Sequence, residues 1–183
     1  DFNFSESVNR ARQFSPNGIV RCATSEYTKQ KQKAGLAPSD EDFERWLAPR
    51  VQEIKRLRRQ GRLPSVITIP VVVHVIHNGD ALGVNENITD AQILSQITVL
   101  NQDFGRVAGT PGFNTNPVGV DTEIQFCLAQ RDPNGLFTTG INRYNLGSEA
   151  SWEIDDINTE IKPQTQWNPN EYLNIWVVNR IVI

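Results

Sequence analysis

Two histidines and two cysteines bound the metal and nucleophile chemistry open to this 183-residue chain. His74 and His77 stand as His-x-x-His, a spacing that invites a zinc reading. They lie, however, in an apolar β-branched run, Val66-Ile-Thr-Ile-Pro-Val-Val-Val-His-Val-Ile-His77, which reads as a buried strand. On a strand, residues three apart point to opposite faces, and no third ligand is near. A structural role is the expectation for both. Cys22 stands in Arg21-Cys-Ala-Thr24, where the neighbouring guanidinium favours a thiolate; read alone, it is a thiol in a polar tail. Cys127 falls between Phe126 and Leu128 of an alternating strand and reads as a small buried hydrophobe. Two thiols are too few to imply a disulfide framework. Asp155, Asp156 and Glu160 read as a solvated helix face, since no dense oxygen-ligand loop surrounds them. The helix pattern His-Glu-x-x-His, which sets two zinc ligands and a glutamate base on one face, is absent.

The elements that must position these residues follow from periodicity. Residues 1–38 are polar and read as irregular, with a turn at Pro16-Asn-Gly18. Ser39 caps a helix, with Asp42 at its third position and Phe43, Trp46, Leu47, Ile54 and Leu57 as an apolar stripe. Pro49 should kink or split that helix. It ends in Lys55-Arg-Leu-Arg-Arg-Gln-Gly-Arg62, a basic stretch before Pro64 that marks a linker and domain boundary. After the strand to His77, Thr89 and Gln92 form a capping box for a helix carrying Ile93, Ile97, Leu100 and Phe104 on one face. A long loop over residues 105–121 leads to a strand from Glu123 to Arg131. Asp132-Pro-Asn-Gly135 then reads as a turn that brings Ile141 to Asn145 back as a hairpin. Ser151 caps a helix with Ile154, Ile157 and Ile161 inward and Pro163 ending it, and Tyr172 to Asn179 is a last buried strand. The order β-α-β-β-α-β predicts an α/β (α+β) fold: an irregular N-terminal segment, then a twisted mixed sheet backed by helices.

Charge separates the same two parts. Residues 1–64 carry 13 Lys and Arg against 8 Asp and Glu, a net +5, and residues 65–183 carry 5 against 13, a net −8. These recover the −3 of the whole chain, a balance that by itself predicts no nucleic-acid partner. No apolar run approaches the ~20 residues of a membrane span. Asn3-Phe-Ser5 and Asn87-Ile-Thr89 match the glycosylation acceptor pattern, but Thr89 has a better role as a cap. The start, Asp1-Phe-Asn-Phe-Ser5, lacks the basic and apolar regions of a signal peptide, so a processed or excised chain is expected.

The wording of the strand and helix is more specific than their architecture. Ile69-Pro-Val-Val-Val-His-Val-Ile76, Ile88-Thr-Asp-Ala-Gln-Ile93 and Val99-Leu-Asn-Gln-Asp-Phe104 resemble the opening of the catalytic domain of the pappalysin family. Pappalysins are secreted zinc endopeptidases of the metzincin group. Phe126-Cys-Leu-Ala129, Asp132-Pro-Asn-Gly135, Gly140-Ile-Asn-Arg143 and Leu173-Asn-Ile-Trp-Val-Val178 continue the resemblance in the family's order. It covers residues 66–179 well and the N-terminal segment more loosely.

The resemblance implies that residues 1–64 are a propeptide with a basic activation linker. Residues 65–183 would be the N-terminal part of a metzincin-like catalytic domain. Cys22, in its Arg21-Cys22 setting, would bind the catalytic zinc in the latent form, where a thiolate fills the open coordination position. Activation would cleave between about Lys55 and Ser65, among Arg56, Arg58, Arg59 and Arg62. The zinc histidines and general base are expected beyond Ile183, so this chain alone should be inactive. Calcium is a further candidate cofactor. The implied partners are protein or peptide substrates and the C-terminal remainder of the protease, in one chain or nicked into a separate one, with no nucleic acid and no membrane. The alternative is a non-catalytic secreted binding module on the same scaffold.

Overall fold

The computed structural model describes residues 24–62, 64–147 and 151–182. The chain divides into two units, Asp1–Leu63 and Pro64–Ile183.

In the first unit, α1 spans Thr24–Lys33 and α2 spans Asp40–Arg59. Sequence reading places irregular chain where α1 stands. Its residues are polar, so no apolar stripe announces it; Lys, Gln and Glu form helix by propensity alone. It closes on Gly35 at φ 70, with Leu36 N–H donating to Lys31 O and Gly35 N–H to Gln32 O. Only glycine takes that left-handed turn without penalty. α2 begins as expected, with Ser39 Oγ accepting the Asp42 N–H at 3.1 Å. Three acids in its first turn and Arg56, Arg58 and Arg59 in its last oppose the helix dipole at each end. Pro49 does not split it. The Arg50 guanidinium donates to Trp46 O at 2.7 Å in the turn that the proline loosens, and lies over the Trp46 ring at 3.8 Å.

The second unit is organised around β1, Ile67–His77. Three strands lie parallel to it: β2 (Ile124–Leu128), β3 (Ile141–Asn145) and, after the segments described below, β5 (Leu173–Val177). β2 pairs along Ile67–Val71 and β3 along Val73–His77. Ile67 N–H donates to Glu123 O, Ala129 N–H to Val71 O, and Val73 N–H to Gly140 O. Alternate residues of a strand direct their hydrogen-bonding groups to one edge. β2 and β3 therefore follow one another along the same edge of β1, and β5, paired over Val71–Val75, takes the other.

The expected hairpin between β2 and β3 is thus absent. The chain leaves the sheet at Ala129, turns through Asp132-Pro-Asn-Gly135 and returns at Gly140, so the sheet is wholly parallel among the described residues. The turn is real, with Gly135 N–H on Asp132 O, but it closes an excursion. Gly140 sits at φ 74, and a Cβ there would lie 2.7 Å from Ala129 N. Pro70 is tolerated inside β1 because its missing N–H faces the second edge, one residue before pairing with β5 begins.

Helix α3, Asp90–Phe104, crosses from β1 to β2. Its capping box forms as read: Thr89 Oγ1 accepts the Gln92 N–H, and the Gln92 side chain accepts the Thr89 N–H. Ile93 and Ile97 are buried with Val71, Val73, Val75 and Phe126, while Phe104 is only partly covered. From β3, Arg143 donates to Asn87 Oδ1 (2.6 Å) and Ile88 O (2.8 Å) and pairs with Asp90 (2.5 Å). It pins the start of α3 to the sheet. Asn87, buried and held by Arg143 and by Asp80 O, is no glycan acceptor in this fold.

The opposite face of β1 is covered by a helical segment. β4 is Trp152–Glu153 and pairs with β6, Ile181–Val182, in a separate two-stranded ladder. The segment runs as α4 (Ile154–Asp156), a π-helical stretch (Ile157–Ile161) and α5 (Lys162–Thr165). Glu153, not Ser151, is its N-cap, because Trp152 is drawn into β4. Pro163 does not end it. The wide turn closes with Lys162 N–H on Ile157 O immediately before the proline, which has no N–H to offer. Ile157 and Ile161 are buried with Ile76 and Trp152.

Candidate functional site

Cys22 and Arg21 lie outside the described residues, as does the Pro16-Asn-Gly18 turn.

The basic cluster is split between helix and connector. Lys55 to Arg59 form the last turns of α2, which ends with Gly61 at φ 63, its N–H on Arg58 O, and the Arg62 N–H on Leu57 O. The helix thus runs further into the basic stretch than a linker would. Arg56 clasps Glu53 through two bonds of 2.6 and 2.7 Å and reaches Gln60 at 3.0 Å. That hydrogen-bonded guanidinium holds the Glu53 carboxyl below its ordinary range. Residues 60–62 and 64–66 are exposed and belong to no helix or strand, and the boundary between the two units falls at Leu63 and Pro64. Backbone of this kind can enter a protease as an extended chain.

The two histidines lie on opposite faces of β1. His77 is partly exposed, and its Nδ1 accepts the Gly79 N–H at 3.1 Å. His74 is fully buried. Its Nε2 lies 2.9 Å from Asn174 Oδ1. The orientation of that amide is fixed by its other bonds: Nδ2 donates to Trp167 O and Tyr172 O, and Oδ1 accepts the Trp167 N–H. His74 must therefore carry its proton on Nε2. Nδ1 is buried with no hydrogen-bond partner. The ring stacks on Trp176 at 5.3 Å and meets Tyr144 and Trp167 at 6.0 and 6.3 Å. Burial pushes its pKa down, against a smaller upward pull from Asn174.

No group of three His, Cys, Asp or Glu able to hold a metal occurs among the described residues. His74 is committed to Asn174 and His77 faces away from it, so the zinc reading that the His-x-x-His spacing invites does not fit these side chains. Asp155 and Glu160 are exposed on the helical segment, and Asp156 accepts the Glu153 N–H as part of its cap.

Cys127 is exposed, not buried as its sequence setting implies. It lies in register with Pro70, on the sheet face that the helical segment covers only over the second half of β1. It lines a shallow groove with Pro70, Leu128, Ala129, Arg131 and Tyr172. A second depression, lined by Thr68, Gln166, Asn170, Glu171 and Trp176 among others, adjoins it around Tyr172.

Two asparagines that sequence reading passed over organise the unit. Asn174 joins β1, β5 and the loop before it. Asn101 of α3 donates from Nδ2 to Phe126 O (2.9 Å), and its Oδ1 accepts the Phe126 N–H (2.7 Å). The only signal for either was a polar residue standing within an apolar run.

No protein-family model matches the chain, and no curated protein matches it. Solved structures do. Mirolysin in complex with compound 9 is 44% identical over 64% of this chain, with a TM-score of 0.52. Mature mirolysin of Tannerella forsythia in complex with a cleaved peptide is 43% identical over 62%, with a TM-score of 0.50. A mutant promirolysin of the same organism is 40% identical over 74%, with a TM-score of 0.49. The chain spans less than half the length of each, at 44%, 43% and 47%. The resemblance read from the sequence therefore holds in three dimensions: the structural neighbours of this chain are mirolysins, metzincins of the pappalysin group, and its α/β fold is similar to theirs.

Proposed function

We propose that this chain is the N-terminal portion of a secreted zinc endopeptidase zymogen that hydrolyses peptide bonds in proteins. The observation that carries the reading is identity of 43–44% to mirolysin over nearly two-thirds of the chain, one of those structures holding a cleaved peptide. In this reading residues 65–183 supply the first part of the catalytic domain, and zinc is held by side chains outside the described residues, with calcium as a further cofactor. Residues 1–64 act as a propeptide, with Cys22 beside Arg21 as the group that blocks the metal and the stretch from Arg56 to Arg62 as the activation region. Its partners are protein or peptide substrates and the remainder of the protease.

The test is to read the coding sequence downstream of Ile183 and express the whole frame. A His-Glu-x-x-His helix within a few dozen codons, with chelator-sensitive peptide hydrolysis, supports the reading. A stop codon without that helix would overturn it in favour of a non-catalytic binding module.

A further inference from the structure

His74 combines features that no structural requirement for a buried aromatic explains. It is the one histidine at the centre of the sheet, fully buried, with its tautomer fixed by Asn174 and its Nδ1 lone pair facing no donor. The groups that meet it come from two neighbouring strands and a loop. β3 gives Tyr144, β5 gives Asn174 and Trp176, the loop before β5 gives Trp167, and β1 itself carries Val72 and Ile76, buried, on the same face. Lys162 of α5 lies over the Trp176 ring at 5.4 Å. No carboxylate is among these groups. A proton on Nδ1 would therefore place an unpaired charge in a buried aromatic setting, with a second cation already on Trp176.

The same side chains hold the covering segment in place. Trp176 Nε1–H donates to Thr165 Oγ1 at 2.9 Å, and Thr165 is buried at the end of the helical segment. Trp167 is tied through both its N–H and its C=O to the Asn174 amide that accepts from His74. We propose that His74 is an acid-operated latch: protonation of Nδ1 releases the clasp of Trp167 and Trp176, and with it the segment Ile154–Thr165, from the sheet. This does not rest on the peptidase reading. Burial lowers the closed ring's pKa, while the opened ring returns toward the ordinary 6.5. The closed form is thus fully favoured above that value and loses ground as pH falls below it.

The test follows hydrogen exchange of the Trp176 indole N–H and the Trp167 amide in the full chain from pH 7.5 to 5.5, corrected for intrinsic exchange. Uptake of one proton on opening should raise the opening constant about tenfold per pH unit below ~6.5. His74→Gln keeps an N–H for Asn174 and cannot titrate, so its opening should be independent of pH. His77→Gln should keep the parent slope. Should His74→Gln fail to fold, ring nitrogen shifts in the parent chain decide: protonated His74 should appear only with the opened clasp. A flat response in the parent would overturn the latch, as would a slope that survives in His74→Gln or a ring that protonates with the clasp closed. It would also fall if the Ala129 amide, which bonds Val71 in the β1–β2 ladder, opened with the same slope, since the sheet would then be unfolding as a whole.

Discussion

A single amide does the work of a missing strand at Asn101. The hydrogen-bonding groups of Phe126 face away from β1, on the outer edge of β2, and the Asn101 side chain answers the donor and the acceptor together. An open edge is a template for unwanted pairing, and this contact closes part of it. Asn101→Leu should cost about 2 kcal/mol, because two backbone groups lose their partners, and should speed exchange of the Phe126 amide. Asn101→Asp, which keeps the acceptor and loses the donor, should fall between. Urea melts with exchange data would show it; an Asn101→Leu chain as stable as the parent would reduce the contact to ornament. Cys22 is a separate residue-scale test of the zymogen reading. In the full-length protein, Cys22→Ala should yield early activity or self-degradation during production. A mutant as latent as the parent would mean that another group blocks the metal.

At the scale of elements, what sequence made legible was local. Ser39 with Asp42 and Thr89 with Gln92 specify helix starts within four residues, and both caps formed. What it could not make legible was register. The turn at Asp132 to Gly135 looks the same whether it joins paired strands or closes an excursion, and only β1, some sixty residues earlier, decides between them. Cys127 was misplaced for a related reason: alternation shows that one face of β2 is buried, not that the other stays bare. His74 and Asn174 are a hundred residues apart, beyond the reach of any spacing rule. Gly140 is the hinge of the excursion. Gly140→Ala would force a Cβ into a left-handed backbone position against Ala129 and should cost at least ~2 kcal/mol in a thermal or urea melt. The end of α2 narrows the activation site. Bonds within Lys55 to Arg59 are locked in helix, so N-terminal sequencing of matured protein should place the new start after Arg59 and before Ile67. A start upstream of Ser39 or inside β1 would refute it.

The whole second unit is unevenly covered. α3 and the helical segment bury the centre of β1, yet β5, the last of the four parallel strands of that sheet, pairs only with β1 among the described residues. Its Leu173 is 38% exposed, and Ile175 and Val177, on the face of Val71, Val73 and Val75, are only partly buried. The expected fully buried last strand is therefore half bare. Each ~100 Å² of apolar surface left wet forfeits ~2.5 kcal/mol, against a typical total stability of ~5–15 kcal/mol. A few such side chains along an unpaired edge are enough to make the unit marginal and prone to association. Recombinant residues 64–183 should therefore bind an apolar dye, self-associate, or melt without a sharp transition. Adding in trans the remainder of a longer protease should suppress all three if its strands and helices complete this face. A fragment that stays monomeric, excludes the dye and melts cooperatively would mean that the sheet is already closed by what it has. That outcome would shift the balance from a partial catalytic domain toward a self-sufficient binding module.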